Sequence, residues 1–111
     1  MPEPLPTVSV TELQELLQSA DKSTFLLDVR RADEFSFCNI GGHHIPMQEL
    51  QGRLSELPSD VDTTIAVLCR SGGRSARVTS FLIASGFGNV RNVKGGILAW
   101  SDEIDSSIKK Y

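Results

Sequence analysis

The chain has 111 residues, 40% hydrophobic and 23% charged, a balance that supports one packed core and excludes a disordered or fibrous chain. With 11 Lys and Arg against 14 Asp and Glu, the net charge of −3 lacks the basic excess of a general nucleic-acid binder. No apolar run reaches the roughly 18 residues of a membrane span, and Met1-Pro2-Glu3-Pro4-Leu5-Pro6 has neither the basic nor the apolar region of a secretory signal, so a cytoplasmic domain covering 1–111 is expected.

In chain order, the first helix is predicted over 12–20. Thr11 and Gln14 have the spacing of a capping box, and Leu13, Leu16 and Leu17 follow at i, i+3 and i+4. Thr24-Phe25-Leu26-Leu27-Asp28-Val29 is nearly continuous in apolar residues, as expected of a strand covered on both faces. Pro46 is expected to open a second helix with Leu50, Leu54 and Leu57 inward and Pro58 as its stop. Thr64-Ile65-Ala66-Val67-Leu68-Cys69 is the clearest buried strand. A helix over 75–85 should follow, with Val78, Phe81, Leu82 and Ser85 on one stripe and Gly86 ending it. Val90-Arg91-Asn92-Val93 reads as a short strand, and 97–104 as a last helix packed through Trp100. Alternating strands and helices imply right-handed crossovers and a mostly parallel sheet covered on both faces. In such sheets ligands bind at the carboxyl ends of the strands, which directs attention to Cys69.

Neither Cys38 and Cys69 nor His43 and His44 show zinc-site spacing, and a disulfide is not expected in a reducing compartment, so no metal is called for. Cys69-Arg70-Ser71-Gly72-Gly73-Arg74-Ser75 carries more information. The paired glycines permit a tight loop whose N–H groups turn inward, and the helix start adds the positive end of its dipole. Arg70 and Arg74 are expected to add formal charge, so that Cys69 is ionised at neutral pH and its loop accommodates an anion.

This loop resembles the active-site loop of rhodanese-like sulfurtransferases. The same family's motifs are matched by Leu27-Asp28-Val29-Arg30 with Glu34-Phe35, by Gly42-His43-His44-Ile45-Pro46, and by Gly95-Gly96-Ile97-Leu98-Ala99-Trp100. The second match departs from the pattern by an extra histidine and by Met47-Gln48 where Gly-Ala is usual. Cys38-Asn39-Ile40-Gly41-Gly42, Glu49-Leu50 through Leu57, and Gly95 through Asp105 further resemble rhodanese domains fused to ubiquitin-activating-like adenylyltransferases. The resemblance implies a five-stranded α/β fold and transfer of sulfane sulfur through a Cys69 persulfide. Arg70, Ser71, Gly72, Gly73, Arg74 and Ser75 would bind the anion, and Asp28, Arg30 and Glu34 would form an ion-paired brace. It also implies a small sulfur donor and acceptor, with a sulfur-carrier protein, an adenylyltransferase or a cysteine desulfurase as candidate partners. The chain is either a stand-alone protein or an excised domain.

Two rival readings share the loop. Cysteine-dependent phosphatases and arsenate reductases place five residues between Cys and Arg, whereas four separate Cys69 from Arg74. A non-catalytic module of the same fold would lack the cysteine. Elsewhere, Cys38 is expected to act as a small buried hydrophobe. His43 and His44, adjacent on a strand, should face opposite sides, and Lys109-Lys110-Tyr111 should form a solvated tail.

Overall fold

Phe25–Asp28 (β2) and Ile65–Leu68 (β4) lie side by side in parallel, with Leu27 opposite Val67. The structure, a computed structural model, describes residues 5–21 and 23–111. Residues 1–4, part of the segment read above as lacking a secretory signal, lie outside the described residues.

Thr7–Val8 (β1), His43–His44 (β3) and Val90–Val93 (β5) complete a five-stranded sheet in the order β1-β5-β4-β2-β3, parallel throughout among the described residues. Alternation along β2 and β4 divides the core in two. Leu27, Ile65 and Val67 meet Leu50, Val78 and Leu82 on one face, while Leu26, Ala66 and Leu68 meet Val10, Leu13, Ile97 and Trp100 on the other. This two-sided burial is why both strands read as unbroken apolar runs. No helix among the described residues is long and apolar enough to cross a membrane.

Several boundaries differ from the sequence expectation for identifiable reasons. Helix α1 is Val10–Gln18, capped by Ser9 rather than Thr11: Glu12 N donates to Ser9 Oγ at 3.1 Å, and Ser9 N to Glu12 Oε1 at 3.0 Å. The earlier start puts Val10 and Leu13 into the core as an i, i+3 pair. Ala32–Phe37 (α2) was not foreseen, because six residues are too short to show an apolar period; Arg31 N, at its entrance, donates back to Glu34 Oε1 at 3.1 Å. Met47–Glu56 is a 3-10 segment interrupted at Arg53 rather than an α-helix, with Pro46 before its first residue and Leu57 just past its end.

Helix α3, Gly73–Ala84, begins two residues before the predicted start. Its expected stripe is only half realised: Val78 and Leu82 are buried, whereas Phe81 is 37% exposed and Ser85 lies outside the core. Its end follows the Schellman pattern, Phe87 N donating to Leu82 O at 3.2 Å and Gly86 N to Ile83 O at 3.1 Å, with Gly86 at φ +106°. Gly96–Glu103 (α4) carries Ile97 and Trp100 into the core as expected.

The start of α4 is built against the loop that follows β4. Ile97 N donates to the Cys69 carbonyl at 2.9 Å and Leu98 N to the Arg70 carbonyl at 3.1 Å. Only glycine allows this approach, since a Cβ on Gly96, at φ +60°, would stand 2.4 Å from Arg70 O and 2.5 Å from Cys69 O. Gly96→Ala is therefore expected to destabilise the protein by at least about 2 kcal/mol and to disturb the loop. Denaturant melts measure the first effect, and amide chemical shifts of residues 70–75 report the second.

Candidate active site

Cys69 is the first residue after β4 and is 1% exposed, so its sulfur forms the floor of the following loop rather than a surface group. Because the carbonyls of Cys69 and Arg70 bond to α4, the trans peptide between Arg70 and Ser71 turns its N–H the opposite way, toward the sulfur. Gly72, at φ +115°, continues the turn, and its N–H donates to Cys69 Sγ at 3.1 Å. Ser75, buried in the first turn of α3, places Oγ 3.2 Å from Sγ. Burial pushes the thiol pKa up. The Ser75 hydroxyl and the main-chain amides of Ser75, Gly72 and Ser71 together outweigh it, so the thiol lies below its ordinary value.

The two glycines of the loop are not equivalent. Gly72 needs its positive φ; Gly73 has none, and a Cβ there would meet nothing within 4 Å. Nor are the arginines deployed as expected. Arg70 is exposed, donates from Nε to the Tyr111 carbonyl at 2.6 Å, and lies over the Tyr111 ring, 5.2 Å from its centroid. Arg74 grips Glu34 with both guanidinium ends, Nη1 to Oε1 at 2.5 Å and Nη2 to Oε2 at 2.9 Å. Its charge senses the sulfur, but its donors are directed to a carboxylate. The groups that lower the thiol pKa most are neutral dipoles, the Ser75 hydroxyl and the three amides, and neither arginine hydrogen-bonds the sulfur.

Asp28, Arg30 and Glu34 form a buried network beside the loop. Arg30, 0% exposed, receives Asp28 bidentately, Nε to Oδ1 at 3.0 Å and Nη2 to Oδ2 at 2.7 Å, and its remaining donors reach the carbonyls of Glu34 and Cys38 and the Tyr111 hydroxyl. Burial lowers the Arg30 pKa, but its bonds to Asp28 and Tyr111 reverse that and keep it charged. Tyr111 OH in turn donates to Glu34 Oε2 at 2.8 Å, and its ring meets Phe37 edge-on. The expected solvated tail is thus corrected at Tyr111, whereas Lys109 and Lys110 are exposed as expected. Tyr111 is half-buried and links Arg30, Glu34 and Arg70, while Lys110 pairs with Asp102. No local spacing could reveal this, because the contacts of Tyr111 lie 41 to 81 residues away in sequence.

Asn92 was also missed. Its Oδ1 accepts from Ser75 Oγ at 2.5 Å and its Nδ2 donates to the Gly72 carbonyl at 3.3 Å. Its spacing from Val90 on β5 was the available signal, since both residues fall on the same face. Cys38 is half-buried, a free thiol packed on the second core cluster with its sulfur 3.8 Å from Arg30 Nη1. His43 is exposed and paired with Glu56, whereas His44 stacks on Phe35 and bonds to the Arg30 carbonyl at 2.6 Å. Among the described residues no three His, Cys, Asp or Glu side chains gather as metal ligands.

Glu34 offers a test of the network. The Arg74 guanidinium pulls its pKa from 4.5 to about 2, against its burial and with help from Tyr111 and the Arg31 amide. Its folded value is the lower one, so its stabilisation is complete above pH 4.5 and is lost as pH falls through about 2. This group alone should remove about 3 kcal/mol across that window. Glu34→Gln should flatten that part of the curve, as read by denaturant melts from pH 6 downward.

The sequence matches the family profile described as Rhodanese-like domain over residues 9–103. Thiosulfate sulfurtransferase 18 of Arabidopsis thaliana is 36% identical over 110 residues, covering 86% of this chain and 78% of that protein. Adenylyltransferase and sulfurtransferase MOCS3-2 of Zea mays is 34% identical over 92 residues, 78% of this chain; the match spans only 19% of that longer relative. Among solved structures, a rhodanese-like domain protein from Staphylococcus aureus superposes with a TM-score of 0.79 at 28% identity, covering 96% of this chain and 98% of that one. A cysteine ringed by main-chain amides after the central strand, on a sheet of this topology and with these relatives, places the chain in the Rhodanese-like domain family of sulfurtransferases.

Proposed function

We propose that this chain moves a sulfane sulfur from a small donor such as thiosulfate to a thiophilic acceptor through a persulfide on Cys69. The observation that carries this reading is the Cys69 sulfur on the floor of a ring of inward-facing donors, with its pKa lowered despite burial. The thiolate attacks the outer sulfur of thiosulfate, the sulfur–sulfur bond of the donor breaks, and sulfite leaves with the bonding pair. Negative charge now rests on the terminal sulfur of the Cys69 persulfide, where the loop amides and the N-terminus of α3 stabilise it. An acceptor thiolate, or cyanide in the test tube, attacks that sulfur and leaves Cys69 as a thiolate again. This is covalent catalysis in two half-reactions, with atoms and electrons balanced by donor and acceptor alone.

The residues divide accordingly. Cys69 is the nucleophile, and the amides of Ser71, Gly72 and Ser75 with the Ser75 hydroxyl form the anion cradle. Gly73 leaves open space beside α3, and Arg74 and exposed Arg70 make the approach positive for an anionic donor. Asp28, Arg30 and Glu34 hold the wall on which Arg74 rests. The Zea mays relative's name joins adenylyltransferase to sulfurtransferase, which supports a sulfur-carrier protein or its adenylyltransferase as the acceptor side of this reaction.

Incubation with thiosulfate should add the mass of one sulfur atom to Cys69, reversed by dithiothreitol, and Cys69→Ser should abolish both the adduct and sulfur transfer to cyanide. Unchanged turnover in that variant would refute the assignment. Hydrolysis of an aryl phosphate should be negligible, because the loop is one residue short for a tetrahedral oxyanion and the donors of Arg74 are held by Glu34. Colorimetric assay of phenolate release checks this.

A further inference from the structure

Asn92 sits half-buried on β5 beneath the loop, and its neighbours determine which way its amide faces. The Gly72 carbonyl only accepts, so Nδ2 must face it, and Oδ1 is left facing Ser75. Oδ1 also only accepts, so the Ser75 hydroxyl proton, 2.5 Å heavy atom to heavy atom, points to Asn92 and away from Cys69. Ser75 Oγ therefore presents lone pairs to Sγ at 3.2 Å, an arrangement suited to an S–H donor. An ionised sulfur needs that same proton. One hydroxyl hydrogen has two competing acceptors.

We propose that Asn92 is a positioning residue that competes with Cys69 for the Ser75 hydroxyl proton and thereby favours the sulfur-loaded enzyme over the bare thiolate; this rests on the persulfide reading of Cys69. In the bare thiolate, Ser75 turns its proton to Sγ, and Asn92 Oδ1 loses its donor. Once a second sulfur is attached, the charge resides on the terminal sulfur and Sγ is neutral, so the hydroxyl returns to Asn92. The Ser75–Asn92 bond is intact in the loaded state and broken in the thiolate state. Only a hydroxyl rotates; no covalent bond and no further reactant is involved. The charged groups around the sulfur are Arg74 of α3, held by Glu34 of α2, and exposed Arg70 of the loop. Arg91 and Lys94, flanking Asn92 in sequence, are exposed, and α4 meets the loop through Gly96, Ile97 and Leu98.

The test follows the ultraviolet absorbance of the Cys69 thiolate against pH, taken as the difference between each protein and its Cys69→Ser counterpart. Asn92→Ala is expected to lower the titration midpoint, raising the thiolate-to-thiol ratio at fixed pH about tenfold. In a Ser75→Ala background the same change should have no effect. A midpoint unmoved or raised by Asn92→Ala, or an equal fall without Ser75, would overturn the proposal. Should Asn92→Ala fail to fold, Asn92→Leu keeps the side-chain shape without an acceptor and should likewise lower the midpoint; no fall would count equally against the proposal. Mass-detected loading by thiosulfate reads the underlying reaction separately. A midpoint shift without an adduct overturns the loading role and the transfer reading while keeping the proton competition, and an adduct without the shift overturns the Asn92 proposal alone.

Discussion

Two main-chain hydrogen bonds, from Ile97 and Leu98 of α4 to the carbonyls of Cys69 and Arg70, set the geometry of the loop after β4. A trans peptide has its N–H opposite its carbonyl, so anchoring the Arg70 carbonyl outward turns the Ser71 amide inward. The anchoring requires α4 to approach at a distance that no side chain at Gly96 would permit. The paired glycines at the start of α4 and the cysteine after β4 are therefore one structural device, although 26 positions separate Cys69 from Gly95 in the sequence. Core packing of Ile97 and Trp100 keeps α4 in place, linking apolar burial on one face of the sheet to amide orientation on its edge.

The electrostatics of the site are those of dipoles more than of formal charges. Burial alone would keep Cys69 protonated, and the opposing influence comes from the Ser75 hydroxyl and three main-chain amides. Of these, the three amides are held in place by the main chain, and under the proposed transfer they stabilise an anion both on Sγ and on a sulfur attached to it. A guanidinium in direct contact would bind one anionic state strongly and oppose turnover. Directing Arg74 to Glu34 leaves its charge nearby while the carboxylate holds its donors.

The polar layer beside the loop obeys the rule that buried ions persist only when fully paired. Arg30 has no solvent exposure, yet all its guanidinium nitrogens find acceptors in Asp28, the carbonyls of Glu34 and Cys38, and the Tyr111 hydroxyl. Among the described residues no buried side-chain nitrogen or oxygen lacks a hydrogen-bond partner. Through Tyr111 and Glu34 this layer reaches Arg74 at the entrance of α3, so the end of the chain, the second strand and the loop after β4 share one network.

Local chemistry in the sequence determined the central strands and the crossover pattern, and it singled out the loop after β4 with its cysteine. These features depend on apolar periodicity and on glycine and cysteine spacing, all of which act over a few residues. Helix starts were less legible because burial decides among nearby caps: Ser9 prevails over Thr11 by bringing Val10 into the core, and α3 begins at Gly73 because Gly72 adopts positive φ. Only the tertiary structure decided where Arg70 and Arg74 point, that Gly72 and not Gly73 needs its conformational freedom, and that Asn92 bonds to Ser75 and Tyr111 to Arg70 and Glu34. The physical reason is that hydrogen-bond partners are chosen by proximity across the folded sheet, between segments whose separation along the chain carries no trace of their contact.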